Sequence, residues 1–244
     1  MASIAQGPSQ EIQFTSNQLP VGVTGMQAMA NKMWIPFIAM GFMIVVAAFA
    51  YGLVNTSITS DYFDASKEVR EAAVTGSDLA KDRAFSEATR IWLPAFKFLG
   101  MGMILGGVTF LLATILGALR TGGGRVQQVL GVPVRIIKPP MTARVFPIVM
   151  MMGMMVLMVS LIISVVTAFT AYDYWNHSIA TQLNLAVAGS ALLSDLQTIN
   201  TVGAWLAPLK FVGVAMLLSS IGLALATIVE VLRWQSRRLW DLLS

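Results

Sequence analysis

The sequence predicts an all-α integral membrane protein. Its four transmembrane helices form two tandem parallel-repeat helical hairpins, with short helices in the outer loops. Three observations predict this. Hydrophobic residues make up 56% of the 244 positions and charged residues 11%, whereas a soluble domain carries about 25% charged residues. The mean hydropathy is +0.73. Four apolar stretches each reach the roughly 20 residues needed to cross the hydrocarbon core. Finally, the chain repeats itself. Trp92-Leu93, Lys97-Phe98, Gly100, Met103, Leu112-Ala113-Thr114-Ile115 and Leu119-Arg120 return as Trp205-Leu206, Lys210-Phe211, Gly213, Met216, Leu225-Ala226-Thr227-Ile228 and Leu232-Arg233, always 113 residues later. Ala73-Val74, Gly76-Ser77 and Leu79 return as Ala186-Val187, Gly189-Ser190 and Leu192 at the same offset.

Residues 1–31 read as a soluble N-terminal tail, polar and small with the single acid Glu11. The first span follows at about residues 34–54. Lys32 and Ala48-Phe49-Ala50 have the flavour of a secretory signal. The span has a counterpart, however, since Lys32, Trp34, Gly41 and Met43 pair with Arg144, Phe146, Gly153 and Met155 at offset 112. A removable peptide has no reason to be copied mid-chain. The second span covers about 98–119, the third about 146–171 and the fourth about 211–229. Repeat 1 is thus 32–120 and repeat 2 is 144–233, joined by a basic linker at 121–143 and followed by a tail at 234–244.

The charges orient these spans. Arg120, Arg125, Arg135, Lys138 and Arg144 bracket the linker without one acid, and the tail adds Arg233, Arg237 and Arg238. The first outer loop holds seven acids and five bases between Val54 and Trp92, and the second holds Asp173, Asp195 and His177 with no Lys or Arg. The positive-inside rule places the linker and both termini in the cytoplasm, in the cytoplasmic (inner) membrane of a prokaryote. Anionic lipid headgroups are the expected partners of the linker, together with other membrane subunits or a second copy. Nucleic acid is not expected, because no soluble basic face exists to meet it. With two spans per unit, both copies share one orientation, which is a parallel rather than an inverted repeat.

Within each outer loop a short helix is expected, then a Gly-Ser break, then a second short helix, both lying over the membrane surface. Ser77 is placed to cap the second helix. The linker glycines Gly122-Gly123-Gly124 read as a flexible joint. No Gly-Lys-Ser/Thr follows them, so a phosphate loop is not indicated.

Candidate functional residues fall into three groups. Lys97 and Lys210 each follow a tryptophan, Trp92 and Trp205, by five residues. They read as interfacial anchors with snorkelling ammonium groups, or else as members of an ion or substrate path with Asp61 and Asp173 as partner acids. Asp61, Tyr62, Asp173, Tyr174 and His177 form outer-loop contact candidates, an aromatic belt with an acid on each side. Met150, Met151, Met154, Met155 and Met158 recur at M-x-x-x-M spacing, which brings two soft thioethers onto one helix face. That spacing is similar to the one used by copper transporters of the Ctr type. The resemblance covers this span alone, and the duplicated four-span layout departs from that family. Methionine is also an adaptable side chain for filling gaps between helices.

Cysteine is absent, no histidine lies in a span and no serine, histidine and acid fall into a triad, so no catalytic residue, metal centre or cofactor is expected. The expectation is a non-catalytic structural, assembly or accessory subunit of a larger membrane protein complex. The alternative is a small transporter or channel, with a metal ion such as copper as cargo. Gly102-x-x-x-Gly106, Ala113-x-x-x-Gly117, Ser220-x-x-x-Ala224 and Gly222-x-x-x-Ala226 are the expected close approaches between helices.

Overall fold

In the computed structural model, residues 11–13, 25–132, 134–137, 140–185, 187 and 189–243 are described. Most of the N-terminal tail, together with Pro133, Lys138 and Pro139 of the linker, lies outside them. The elements are β1 (Glu11–Gln13), α1 (Gly25–Asp64), α2 (Lys67–Glu71), α3 (Asp78–Val129), β2 (Arg135–Ile137), α4 (Met141–Trp175), α5 (Ile179–Leu185) and α6 (Ala191–Leu243). Apart from the three-residue antiparallel pairing of β1 with β2, the described chain is helical. Helices α1, α3, α4 and α6 are each long and apolar enough to cross a membrane. The four expected spans lie inside them.

These helices far exceed their spans. Helix α3 has 52 residues and α6 has 53, about 78–80 Å at 1.5 Å per residue against a hydrocarbon core of ~30 Å. The second half of each outer loop is therefore not a separate short helix lying over the membrane. It is the continuous first part of α3 or α6. Residues 78–97 carry Ala, Glu, Lys and Arg, which favour helix, and nothing stops the helix before the span. Pro94 and Pro208 fall inside α3 and α6, and Pro36 and Pro147 inside α1 and α4. Each costs one backbone hydrogen bond, which neighbouring groups replace in membrane helices.

The breaks lie where the Gly-Ser pairs predict them. Gly76 and Gly189 adopt φ of +77° and +81°, a region that only glycine enters freely. Ser77 Oγ then accepts from Ala80 N–H at 3.3 Å, and Ser190 Oγ from Leu193 N–H at 3.2 Å. These hydroxyls satisfy N–H groups that the first helical turn leaves open. Ser66 and Ser178 cap α2 and α5 in the same way.

Two compact units divide the chain, and every long helix contributes to both. The first comprises Met1–Ile38, Leu105–Met151 and Met216–Ser244. Its core is Leu116, Phe146, Ala224, Val231 and Trp234, with Leu112, Ala113, Leu223 and Ile228 against them. Gly107 in α3 lies so close to α1 that a Cβ there would stand 2.5 Å from Ile38 and 3.0 Å from the Trp34 carbonyl. Ser220 donates to the Phe146 carbonyl and Thr227 to Thr142, both at 2.8 Å. These bonds tie α6 to α4. Because such bonds average about 0.6 kcal/mol in membrane proteins, a combined Ser220→Ala and Thr227→Val variant should lose about 1 kcal/mol. Reversible unfolding in mixed micelles would read this loss, and an unchanged midpoint would count against both bonds.

The glycine run expected to be a flexible joint is helical, since α3 continues to Val129. Its function is close approach: a Cβ on Gly123 would collide with the Gln235 side chain of α6, which donates to the Leu119 carbonyl at 2.7 Å. Beyond α3, Gln127 holds the linker by two bonds. Its amide donates to the Arg135 carbonyl at 3.0 Å, and its oxygen accepts from Arg135 N–H at 2.8 Å. Val134 is fully buried beside them. The linker is thus fastened at this end.

The second unit comprises Ala39–Ile104 and Met152–Ala215. Here α1 crosses α3 at Gly41 and Gly100, and α4 meets α6 at Gly153, Leu157 and Gly213. A Cβ on Gly100 would stand 3.0 Å from the Gly41 carbonyl, and one on Gly213 would stand 3.3 Å from the Gly153 carbonyl. Phe98 and Phe211 touch edge to face, with ring centroids 5.3 Å apart. Tyr51 of α1 contacts Phe85 and Trp92 of α3, and Thr59 shares a 2.8 Å hydrogen bond with Ser86. The outer loops bind each other: Gly76 N–H donates to the Asn176 carbonyl at 3.1 Å, and Ser178 N–H to Thr75 Oγ1 at 2.9 Å.

Along α4 a series of buried positions runs through Phe146, Met150, Gly153, Leu157, Ser160, Ser164, Thr167, Ala171 and Tyr174, with Ala168 also buried beside Thr167. Along α6 they are Leu206, Lys210, Gly213, Leu217, Ser220, Ala224, Thr227, Val231 and Trp234. The spacing alternates between three and four throughout, the 3.5-residue period of a coiled-coil seam. Gly153-Leu157-Ser160 on one helix and Gly213-Leu217-Ser220 on the other follow one pattern, in which glycine admits the neighbouring backbone and serine stays small.

Candidate functional site

The helical period fixes how Lys210 is placed. It lies four residues after Leu206 and three before Gly213, both buried, so it falls on the same seam. Its residue surface is only 7% exposed. No ion pair or hydrogen bond to Lys210 occurs among the described residues. Lys97 occupies the matching sequence position on α3, yet it is exposed. The tryptophans also differ: Trp92 is half-buried against Tyr51 and Phe96, while Trp205 is 42% exposed. The paired anchors of the sequence reading are therefore two different environments. Asp61 and Asp173, the acids expected beside them, are exposed.

Two hydroxyls share the Lys210 seam. Gly213 meets Leu157, and Ser160 and Ser164 follow Leu157 along the same buried face of α4. Both serines are fully buried, and neither hydroxyl has a hydrogen-bond partner among the described residues. A buried hydroxyl ordinarily returns its hydrogen bond to the carbonyl four residues earlier, as Thr167 does to Ile163 at 2.9 Å. Lys210, Ser160 and Ser164 are thus polar groups without a hydrogen-bond partner among the described residues on an otherwise apolar seam. Sequence reading singled out the lysine and missed the serines, although their i, i+4 spacing was visible.

The outer-loop candidates meet in part. Tyr62 and His177 come together with Arg70, Arg83 and Trp175. Arg83 stacks over the Trp175 ring at 4.3 Å, and Arg70 lies over Phe63 at 4.9 Å and Tyr62 at 5.3 Å. Tyr174 is buried, and its carbonyl accepts from the Gln182 amide at 2.9 Å. His177 Nδ1 is 2.8 Å from the Asp173 carbonyl. The space these side chains enclose is about 10 Å³, close to the ~10–15 Å³ that a single water needs. Cation–π contacts of this kind contribute about 0.5–2 kcal/mol. The cluster joins the two outer loops, and the space it encloses is no larger than a single water. In the nearby α2, hydrogen bonds from its own backbone and from Ser66 hold the Glu68 carboxyl below its ordinary range.

The methionines do not share an enclosed face. Met150 is buried and Met154 half-buried, whereas Met151, Met152, Met155 and Met158 point outward. Three histidine, cysteine or acidic residues able to hold a metal ion together are not found among the described residues.

One further groove lies in the second unit. Ala88, Trp92, Val165, Ala168, Phe169 and Tyr172 border about 600 Å³ of open space between α3 and α4. Its walls are almost wholly apolar, which suits hydrocarbon and offers no reacting group. Family models, curated proteins and solved structures contain no match to this chain.

Proposed function

We propose that this chain is a non-catalytic accessory subunit of a larger membrane protein complex, seated in the cytoplasmic membrane of a prokaryote with both termini inside. One observation carries the reading. Of the most apolar window in each crossing helix, 50% is buried within the chain for α3, but only 33% for α6, 28% for α4 and 11% for α1. Helix α1 touches its own chain along one narrow glycine-bearing edge and turns Phe42, Phe49 and Leu53 outward. Neighbouring helices of a complex would cover such a face. The long membrane-external parts of α3 and α6 add surface for the same purpose.

The chain is read as a duplicated hairpin, with both copies in one orientation. Support comes from equivalent contacts at the offsets found in sequence. Gly41–Gly100 and Gly153–Gly213 are matching crossings, Gly76-Ser77 and Gly189-Ser190 are matching breaks, and Phe98 meets its own counterpart Phe211. A contact between equivalent residues is what an internal twofold axis between α3 and α6 produces.

The test is purification in mild detergent from the native membrane, followed by intact-mass measurement. The wild-type chain should leave the membrane in an assembly several times its 26.3 kDa mass. A variant with Phe42, Phe49 and Leu53 all changed to alanine should appear alone while keeping its helix content. A wild-type chain that emerges as a lone monomer would refute the reading.

A second reading, a small transporter or channel, draws on the buried Lys210 with the unpartnered Ser160 and Ser164. It requires water or cargo within that seam. The outward methionines give copper no enclosed route.

A further inference from the structure

We infer that the basic ends of α3 and α6 form a binding site for one anionic phospholipid. This inference does not rest on the subunit reading. In the first unit, Ala118, Leu119, Gly122 and Val126 of α3 and Leu239 of α6 border an open groove, together with the polar side chains of Gln127, Gln235 and Arg238. Its volume is about 240 Å³, room for roughly eight groups of ~30 Å³ each. The lining is mainly apolar, and it starts where the second span ends. A segment of acyl chain can enter it without leaving the hydrocarbon border.

The charged member of the groove is Arg238. Its Nε is buried from solvent and has no hydrogen-bond partner among the described residues. A guanidinium is always charged and presents a planar fork that matches phosphate. An unpartnered N–H on such a group, beside an apolar trough, asks for an acceptor that arrives with hydrocarbon attached. The surroundings carry the complementary sign: Arg120, Arg125, Arg233 and Arg237 lie on the same stretches of the two helices, against Glu230 and Asp241. Basic pockets between membrane helices commonly hold anionic headgroups. A phosphodiester on Arg238, with its acyl chain along Gly122 and Val126, satisfies both halves of the groove.

Gly122 makes the site testable. A Cβ built there meets nothing within 4 Å, so a larger side chain fills the groove without clashing. Gly122→Leu should raise helix propensity and still remove lipid. Arg238→Gln should remove the charge and leave the apolar trough. The full chain would be titrated in neutral micelles with dioleoyl phosphatidylglycerol, dioleoyl phosphatidylcholine or inorganic phosphate, and lipid adducts counted by native mass measurement. One phosphatidylglycerol per chain is expected, with occupancy about fivefold lower or less in either variant and little phosphatidylcholine retained. Equal retention of the two lipids would overturn the proposal. So would phosphate displacing the lipid while Gly122→Leu binds normally, because the site would then read an anion without its acyl chain. Helix content of both variants, measured by circular dichroism, separates lost binding from lost fold. Unchanged phosphatidylglycerol binding in a folded Gly122→Leu variant is also a refutation.

Discussion

Gly41→Ala should destabilise the chain by about 2–4 kcal/mol, among the largest losses for any single methyl group added to it. The reason is what the new Cβ would meet. It would stand 2.6 Å from the Gly100 carbonyl and 2.8 Å from the Ile104 nitrogen. Both are backbone atoms of a helix, which cannot rotate away as a side chain can. Helix α1 would have to separate from α3 along the one edge that holds it. Gly213→Ala is the informative comparison. Its Cβ would meet Leu157 side-chain atoms at 2.8 Å, and a leucine can change rotamer, so about 1 kcal/mol is expected. Gly222→Ala meets nothing within 4 Å and should be neutral or stabilising by up to ~1 kcal/mol, the helix-propensity difference. Unfolding in mixed micelles ranks the three. Equal losses for Gly41→Ala and Gly222→Ala would mean that α1 and α3 do not cross closely at Gly41.

That ranking also shows what the sequence could and could not reveal. The crossing helices were legible because about 20 apolar residues in succession have few alternatives. The Gly-Ser breaks were legible because Gly76 and Gly189 need positive φ and the following serine caps. Which glycines touch was not legible. Gly222-x-x-x-Ala226 has the spacing of a contact motif, yet both residues face outward, because the seam of α6 runs through Ser220, Ala224 and Thr227. A motif gives spacing along a helix but not the direction of its face. The seam itself appears only when burial is known at every turn.

The linker was misread for a related reason. Three successive glycines have low helix propensity, so a joint was the natural expectation. Tertiary contacts override that preference here. Gly123 lets Gln235 approach α3, Gln127 binds the Arg135 backbone, and all three hydrogen bonds join different elements. The pairing of Glu11–Gln13 with Arg135–Ile137 was equally hidden, since three residues carry no periodicity. The second helix of each outer loop was expected to be short and to lie over the membrane surface. Instead α3 runs without interruption from Asp78 to Val129 and α6 from Ala191 to Leu243, so each of these helices is the start of the crossing helix itself.

Lys210→Met should stabilise the isolated chain by about 1–3 kcal/mol, whereas Lys97→Met should change it by less than about 0.5 kcal/mol. Methionine keeps the length and flexibility of the lysine stem and removes its charge. At Lys97 the ammonium is exposed, so little desolvation is relieved. Lys210 as a residue is only 7% exposed on the α4–α6 seam, and no acid or carbonyl bonded to its ammonium occurs among the described residues. An ammonium held that way is a standing cost, and such costs persist where a group has a use. The neighbouring hydroxyls decide what the use is. If water or an anion joins Lys210 to Ser160 and Ser164, then Lys210→Met and a Ser160→Ala, Ser164→Ala double variant will not add. A coupling of about 0.5 kcal/mol or more is expected from groups sharing one network. Additive effects within ~0.3 kcal/mol would leave the serines as small residues that let helices approach, and would remove the support the transporter reading draws from them. A loss of stability in Lys210→Met would reverse the sign and show that the ammonium is already satisfied within the isolated chain. The same variant bears on the assembly. Should Lys210→Met be more stable alone yet fail to enter the complex in native membranes, the charge is held in reserve for a group that another subunit supplies.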